Sequence, residues 1–212
     1  MSKKNKEGFE TRAIHAGQKA DPTTGAVMMP IYTSSTFEQE SPGVHKGFDY
    51  SRSINPTRKA FEECIASLEN GEVGFGFSSG VAAISACVEL LSPGDHVIAM
   101  NDLYGGTVRL FNEIKTLSQG IEVTYVDMTD MQNVLKAKTD KTKMIFVETP
   151  TNPLLRVVDL AAIAEFAKAE NILSVCDNTF ASPYVQQPLN HGIDIVLHSA
   201  TKYLGGHSDL IA

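Results

Sequence analysis

The chain has 212 residues, a formal net charge of -7, 42% hydrophobic residues and 20% charged residues. That composition suits a globular domain with a real core and speaks against wholesale disorder. The acidic balance also speaks against a nucleic-acid backbone as partner, because that affinity comes from clustered Lys and Arg, and the only basic cluster, Lys3, Lys4 and Lys6, reads as a solvated tail.

Residues 1–56 show no sustained periodicity. They carry turn signals at Asp21-Pro22, Thr24-Gly25, Pro30, Ser41-Pro42-Gly43 and Asn55-Pro56. So long an irregular stretch is expected to serve as a functional arm or to pack on something else. From Thr57 onward the pattern alternates. A helix is predicted over 57–70, with Ala60, Phe61, Cys64, Ile65 and Leu68 at helical spacing. A short strand over 73–77 and a helix over 79–91 follow, the latter stopped by Ser92-Pro93-Gly94. Then come a strand over 96–100, a helix over 107–117, a strand over 122–126, a helix over 131–137 and a strand over 144–147. A helix over 160–169 and strands over 172–176 and 193–197 complete the series. Strands separated by helices require crossover connections, so the fold class is α/β with a mostly parallel sheet flanked by helices. The near-continuous apolar strands MIFV, ILSVC and IVL fit a sheet covered on both faces.

Cys64, Cys87 and Cys176 lack CxxC spacing, so neither a zinc site nor a thioredoxin-like motif is supported, and no metal is expected. Three sparse cysteines fit reduced thiols. No apolar signal-peptide core occupies residues 1–20, and no apolar run has membrane-spanning length. The expectation is a cytoplasmic protein without a membrane partner.

Open α/β sheets bind ligands beyond the carboxyl ends of their strands. Polar residues gather there. Glu148 and then Asn152 follow MIFV, Asp177 and Thr179 follow ILSVC, Ser199, Thr201 and Lys202 follow IVLH, and Ser78-Ser79-Gly80 follows GFGF. Lys202 is either a surface lysine or a partly desolvated nucleophile with a lowered pKa. Asp177 is either a cap on the next turn or the buried partner of a cationic ring nitrogen. Gly80 and Val81 open a helix whose free N–H groups favour a phosphate, although GxGxxxG is one residue too long for a dinucleotide fingerprint. Tyr104, followed by Gly105-Gly106, is either a half-buried turn residue or a plate over a planar cofactor.

At these residues the chain resembles the cystathionine γ-lyase and γ-synthase family, enzymes of Cys and Met metabolism that depend on pyridoxal 5'-phosphate (PLP). The resemblance rests on seven segments in one order: AIHAGQ at 13–18, YSRSINPT at 50–57, SSGVAAI at 78–84, DLYGGT at 102–107, ETPTNP at 148–153, VCDNTFASP at 175–183 and HSATKYLGGHSD at 198–209. It implies the PLP-dependent transferase fold of the aspartate-aminotransferase type. Lys202 then resembles the Schiff-base lysine and Asp177 the partner of the ring nitrogen, with Thr179 beside it. Gly80, Val81, Ser199 and Thr201 resemble phosphate contacts, Val81 standing where methionine is common. Tyr104 resembles the ring-stacking tyrosine that also joins in proton transfer. Glu148 and Asn152 match positions lining the site, and Tyr50 and Arg52 match residues reaching the phosphate of a neighbouring subunit. Residues 1–56 would then be an arm on a partner chain in a homo-oligomer, a tetramer built from dimers, and 57–212 an incomplete PLP-binding large domain.

The implied reaction on a small amino-acid substrate is γ-elimination of cystathionine, with γ-replacement on an activated homoserine as the alternative. Gly105-Gly106-Thr107 resembles the cystathionine enzymes more than methionine γ-lyases, which more often carry cysteine at the position of Gly106. Family chains continue past the lysine into a small C-terminal domain that supplies a carboxylate-binding arginine. The sequence ends at Ala212, so that domain is expected to be absent and this piece alone inactive. A rival from another class reads Ser199-Ala-Thr-Lys202 as the SxxK signature of a serine acyl-transfer enzyme. KTG is absent, and that serine should open a helix rather than follow a strand. A third reading is a non-catalytic assembly partner.

Overall fold

The computed structural model describes residues 7–212, so the tail holding Lys3, Lys4 and Lys6 lies outside the described residues. The chain forms two compact units, one running to Gly76 and one from Phe77 to Ala212.

The first unit holds helix α1 (Phe9–His15), a hairpin of β1 (Gln39–Ser41) and β2 (Val44–His45), and helix α2 (Pro56–Glu69). Helix α2 starts where the turn signal stands: the Asn55 side chain accepts from the N–H groups of Thr57 and Arg58, and Pro56 fills the first turn. The same sequence ties down the irregular arm. Thr57 Oγ1 donates to Pro30 O at 2.9 Å and accepts from Tyr32 N at 2.9 Å. Asn55 Nδ2 donates to Tyr32 O at 3.0 Å, and the Arg58 guanidinium donates to Ser53 O at 2.7 Å. These bonds offset part of the entropy lost in ordering a stretch with little regular structure. Phe61, expected on the buried face of α2, is exposed.

The strand expected over 73–77 does not form. Its backbone turns to a helix side chain instead of a neighbouring strand, since Gly76 N donates to Glu62 Oε1 at 2.8 Å. Val73, Phe75 and Phe77 are all exposed, so the segment lacks the covered faces of a buried strand.

The second unit runs α3 (Gly80–Val88), β3 (His96–Met100), α4 (Gly105–Arg109), a π-helical segment (Leu110–Lys115), α5 (Thr116–Gln119), β4 (Glu122–Val126), α6 (Met131–Ala137), β5 (Thr142–Glu148), α7 (Leu160–Ala169), β6 (Leu173–Asp177), α8 (Ser182–Val185), a 3₁₀ turn (Pro188–His191) and β7 (Ile195–Leu197). The helix predicted over 107–117 is thus longer and carries a π segment, for which its residues hold no pattern signal. Side chains of Ser79, Asp130 and Asp159 cap α3, α6 and α7.

All five strands of the main sheet are parallel, in the order β4-β3-β5-β6-β7. The core sits on both sides of β3 and β5, with Ile98, Met100, Ile145 and Phe146 fully buried and Phe111 edge-on to Phe146 at 5.4 Å. Removing any of these large side chains would cost about 2–5 kcal/mol. The chain winds from β3 outward to β4 and then returns to the other side of β3 for β5. In sheets of this kind ligands are held beyond the carboxyl ends of the strands at such a reversal, here β3 and β5.

Candidate active site

Strand register brings the acids together. Glu148 ends β5, Asp177 ends β6, and the two are direct partners in the parallel ladder, with Asp177 also opposite Leu197 of β7. Both are buried, at 4% and 6% exposure. Asp177 Oδ1 accepts from Thr179 N at 3.0 Å and from Thr179 Oγ1 at 2.6 Å. The aspartate therefore does cap its turn, yet it stays buried. The same Thr179 hydroxyl accepts the N–H of Ser199 at 2.8 Å. One threonine thus links the end of β6 to the segment after β7 that carries Lys202.

Burial raises Asp177 above the usual carboxylate range, while the two Thr179 bonds and the nearby His198 pull it back. Glu148 is pushed up to about 8, first by burial and then by the charge of Asp177; Asp102 adds to the rise, and the N–H groups of Tyr104 and Asn152 oppose it. Tyr104 N lies 3.0 Å from Glu148 Oε2.

Helix α3 begins against Ser199. A Cβ on Gly80 would stand 2.7 Å from Ser199 Cβ, so only glycine lets the helix start this close. Ser79 accepts from Ala82 N, which leaves the N–H groups of Gly80 and Val81 without intrahelical partners, beside the Ser199 hydroxyl. The Thr201 hydroxyl accepts the Ala212 N–H at 3.1 Å.

Tyr104 caps α4 and is 44% exposed. Its ring fills the space a side chain at Gly106 would need, since a Cβ there would lie 2.3 Å from Tyr104 Cε1. The glycine serves the tyrosine ring itself. Asn152 is half-buried in the loop after β5. Asp102 pins that loop, accepting from Thr151 Oγ1 and, at 3.1 Å, from Leu154 N. Gln186 Nε2 donates to Thr149 O at 3.0 Å and to Asn178 Oδ1 at 2.9 Å. Asp102, Thr151, Asn178 and Gln186 are positioning groups that the motif reading passed over; three lie inside segments quoted for the resemblance, and buried polar character was their only signal.

Lys202 follows Ser199 by one turn, its N–H donating to Ser199 O at 3.1 Å. It is exposed, because its turn lies past the end of β7, outside the layers that bury the acids. It borders an open cavity of about 680 Å³ with Phe180, Tyr203 and Leu210. Asp177, Glu148 and Tyr104 do not line that cavity; buried acids and the N–H groups positioned on them converge instead at the strand ends. The SxxK reading loses its geometry, since Ser199 sits in the turns after β7 and opens no helix. In the first unit, Tyr50 and Arg52 come together, with the guanidinium carbon 4.9 Å from the ring centroid.

The family model for Cys/Met metabolism PLP-dependent enzymes matches residues 10–212. The chain belongs to this family. A relative from Coxiella burnetii, named cystathionine β-lyase, is 60% identical over 97% of this chain and 53% of its own length. Another from Herpetosiphon aurantiacus, named probable cystathionine γ-synthase, is 48% identical over 96% of this chain and 64% of its own. The crystal structure of cystathionine γ-lyase from Lactobacillus plantarum complexed with L-serine matches with a TM-score of 0.94 and 54% identity, over 97% of this chain and 53% of that one. The chain spans about half the length of the first and last of these, and the fold is the family's PLP-dependent transferase fold.

The residues of this family member fit a pyridoxal phosphate group. Two buried, mutually repelling acids at the strand ends would be relieved by a cationic ring nitrogen. The start of α3, held against Ser199 by a glycine, has the donors a phosphate needs.

Proposed function

We propose that this chain is the cofactor-binding portion of an enzyme that cleaves a carbon–sulfur bond of cystathionine by γ-elimination. The observation that carries the reading is the Thr179 hydroxyl, bonded at once to the Asp177 carboxylate and to Ser199 N, because it sets the aspartate and the lysine-bearing segment in one fixed frame. Lys202 would anchor the cofactor, Asp177 would hold the proton on its ring nitrogen, and Gly80, Val81, Ser199 and Thr201 would receive its phosphate. Asn152 would face its hydroxyl, with Glu148 lining the site and Tyr104 placed to stack on the ring. When bound, pyridoxal phosphate supplies an electron sink for bonds at the substrate α-carbon. Lys202 would move protons between substrate carbons as general base and then acid. Tyr104, with its backbone fixed by Glu148, assists that transfer.

Tyr50 and Arg52 are proposed to reach the phosphate of a neighbouring subunit. Their stacked, solvent-facing arrangement supports that. Residues 1–56 would then be the arm of a homotetramer, and 57–212 the PLP-binding domain. A cytoplasmic location is part of the same reading; among the described residues no helix is long and apolar enough to cross a membrane.

β-Elimination is a second reading, favoured by the 60% identity to a protein named cystathionine β-lyase. Product analysis of the full-length protein on cystathionine separates the two. Cysteine with 2-oxobutanoate supports γ-elimination, and homocysteine with pyruvate supports β-elimination. Cystathionine formed from an activated homoserine and cysteine would point to a synthase.

A further inference from the structure

Glu148 is a buried acid whose protonation state the proposed chemistry leaves open. It stands beside Asp177 in the ladder, and in-register residues of a parallel pair project to the same face, from strands about 4.8 Å apart. Asp102 lies on its other side. Among the described residues, Asp177, Asp102 and the backbone N–H groups of Tyr104 and Asn152 are what act on the Glu148 carboxyl. Two carboxylates this close in a buried site do not both ionise at neutral pH. The partners decide which keeps its charge. Asp177 has a hydroxyl donor, an N–H and the field of His198, whereas Glu148 has two backbone N–H groups alone.

We propose that Glu148 is a positioning residue that works as a neutral carboxylic acid. It fixes the backbone of Tyr104 and Asn152 and leaves Asp177 as the negative charge facing the cofactor ring. The glutamate accepts the Tyr104 N–H on Oε2, while its proton keeps a second charge out of the site. This rests on the PLP reading given above.

The test uses the full-length protein reconstituted with pyridoxal phosphate, its absorbance and kcat followed from pH 6 to 10. The wild-type spectrum should show a transition above neutral pH, where Glu148 loses its proton. Glu148→Gln should remove that transition and lower kcat by about threefold, while Glu148→Ala, leaving two N–H groups unsatisfied, should lower kcat by roughly tenfold or more. Equal losses in both variants, or a transition that survives in Glu148→Gln, overturn the inference. Should Glu148→Ala fail to fold, the pH profile of Glu148→Gln decides alone. A wild-type protein that forms no adduct with the cofactor overturns the underlying reading instead, so the two failures are distinct.

Discussion

The Thr179 hydroxyl donates to the Asp177 carboxylate at 2.6 Å, and it is the joint on which the site turns. Its oxygen also takes the Ser199 N–H, so the position of the aspartate and the course of the chain toward Lys202 are set together. Thr179→Val keeps the shape and removes the hydroxyl. It leaves a buried carboxylate short of a donor and a buried N–H short of an acceptor, a loss of about 1.5–3 kcal/mol. In the full-length holoenzyme, kcat/KM should fall roughly ten- to hundredfold, and Thr179→Ser should recover most of it. Steady-state kinetics of both variants check this.

Gly80→Ala places a methyl group 2.7 Å from Ser199 Cβ. The start of α3 must withdraw from Ser199, and the phosphate donors separate. Affinity for pyridoxal phosphate should drop by about tenfold, since charge-assisted bonds to the phosphate are lost. Affinity for pyridoxal, which lacks the phosphate, should change far less. Titrating the variant with each compound separates loss of the phosphate cup from general damage.

Gly106→Ala drives a Cβ into the Tyr104 ring, 2.3 Å from Cε1. The ring must swing away, and kcat should fall by roughly tenfold, the low end expected for removing a proton-transfer group. If the damage acts through the tyrosine, adding Gly106→Ala to a Tyr104→Ala variant should cost little more. Kinetics of the two single variants and the double variant decide it.

Far from the site, His96 opens β3 with Nδ1 2.8 Å from Thr142 Oγ1 and Nε2 2.9 Å from Thr124 Oγ1, so one imidazole bridges three strands. Burial lowers its pKa below 6.5, with Glu122 opposing that and Lys141 adding to it. A folded pKa below the unfolded one means the unfolded chain binds more protons in between. The contribution is therefore fully present above about pH 6.5 and is lost as the pH falls from there through the folded value. Urea melts at pH 7.5 and 5.5 should show a larger drop in midpoint for the wild type than for His96→Gln.

Regular elements were legible wherever pattern and packing agreed. His96–Met100, Glu122–Val126, Met131–Ala137 and Leu160–Ala169 form where the apolar spacing put them. Val73, Phe75 and Phe77 alternate like a strand, yet they form none, because the decisive partner of that segment is the Glu62 side chain on a helix, a tertiary contact no local pattern encodes. The residues of the π segment likewise carry no pattern that marks it. In the site, Asp177, Glu148 and Gly80 stood out by their places after strands or at a helix start. The bridge through Thr179, the pinning of the loop by Asp102 and the fit of the Tyr104 ring over Gly106 depend on distances across strands, which spacing along the chain does not contain.

The account stands or falls on where the cofactor attaches. Full-length protein incubated with pyridoxal phosphate, reduced with borohydride and digested should yield a single pyridoxyl-modified peptide carrying the label on Lys202. Asp177→Ala should weaken retention of the cofactor while leaving that attachment point unchanged. Label on another lysine, or a wild-type protein that takes up none, would contradict it.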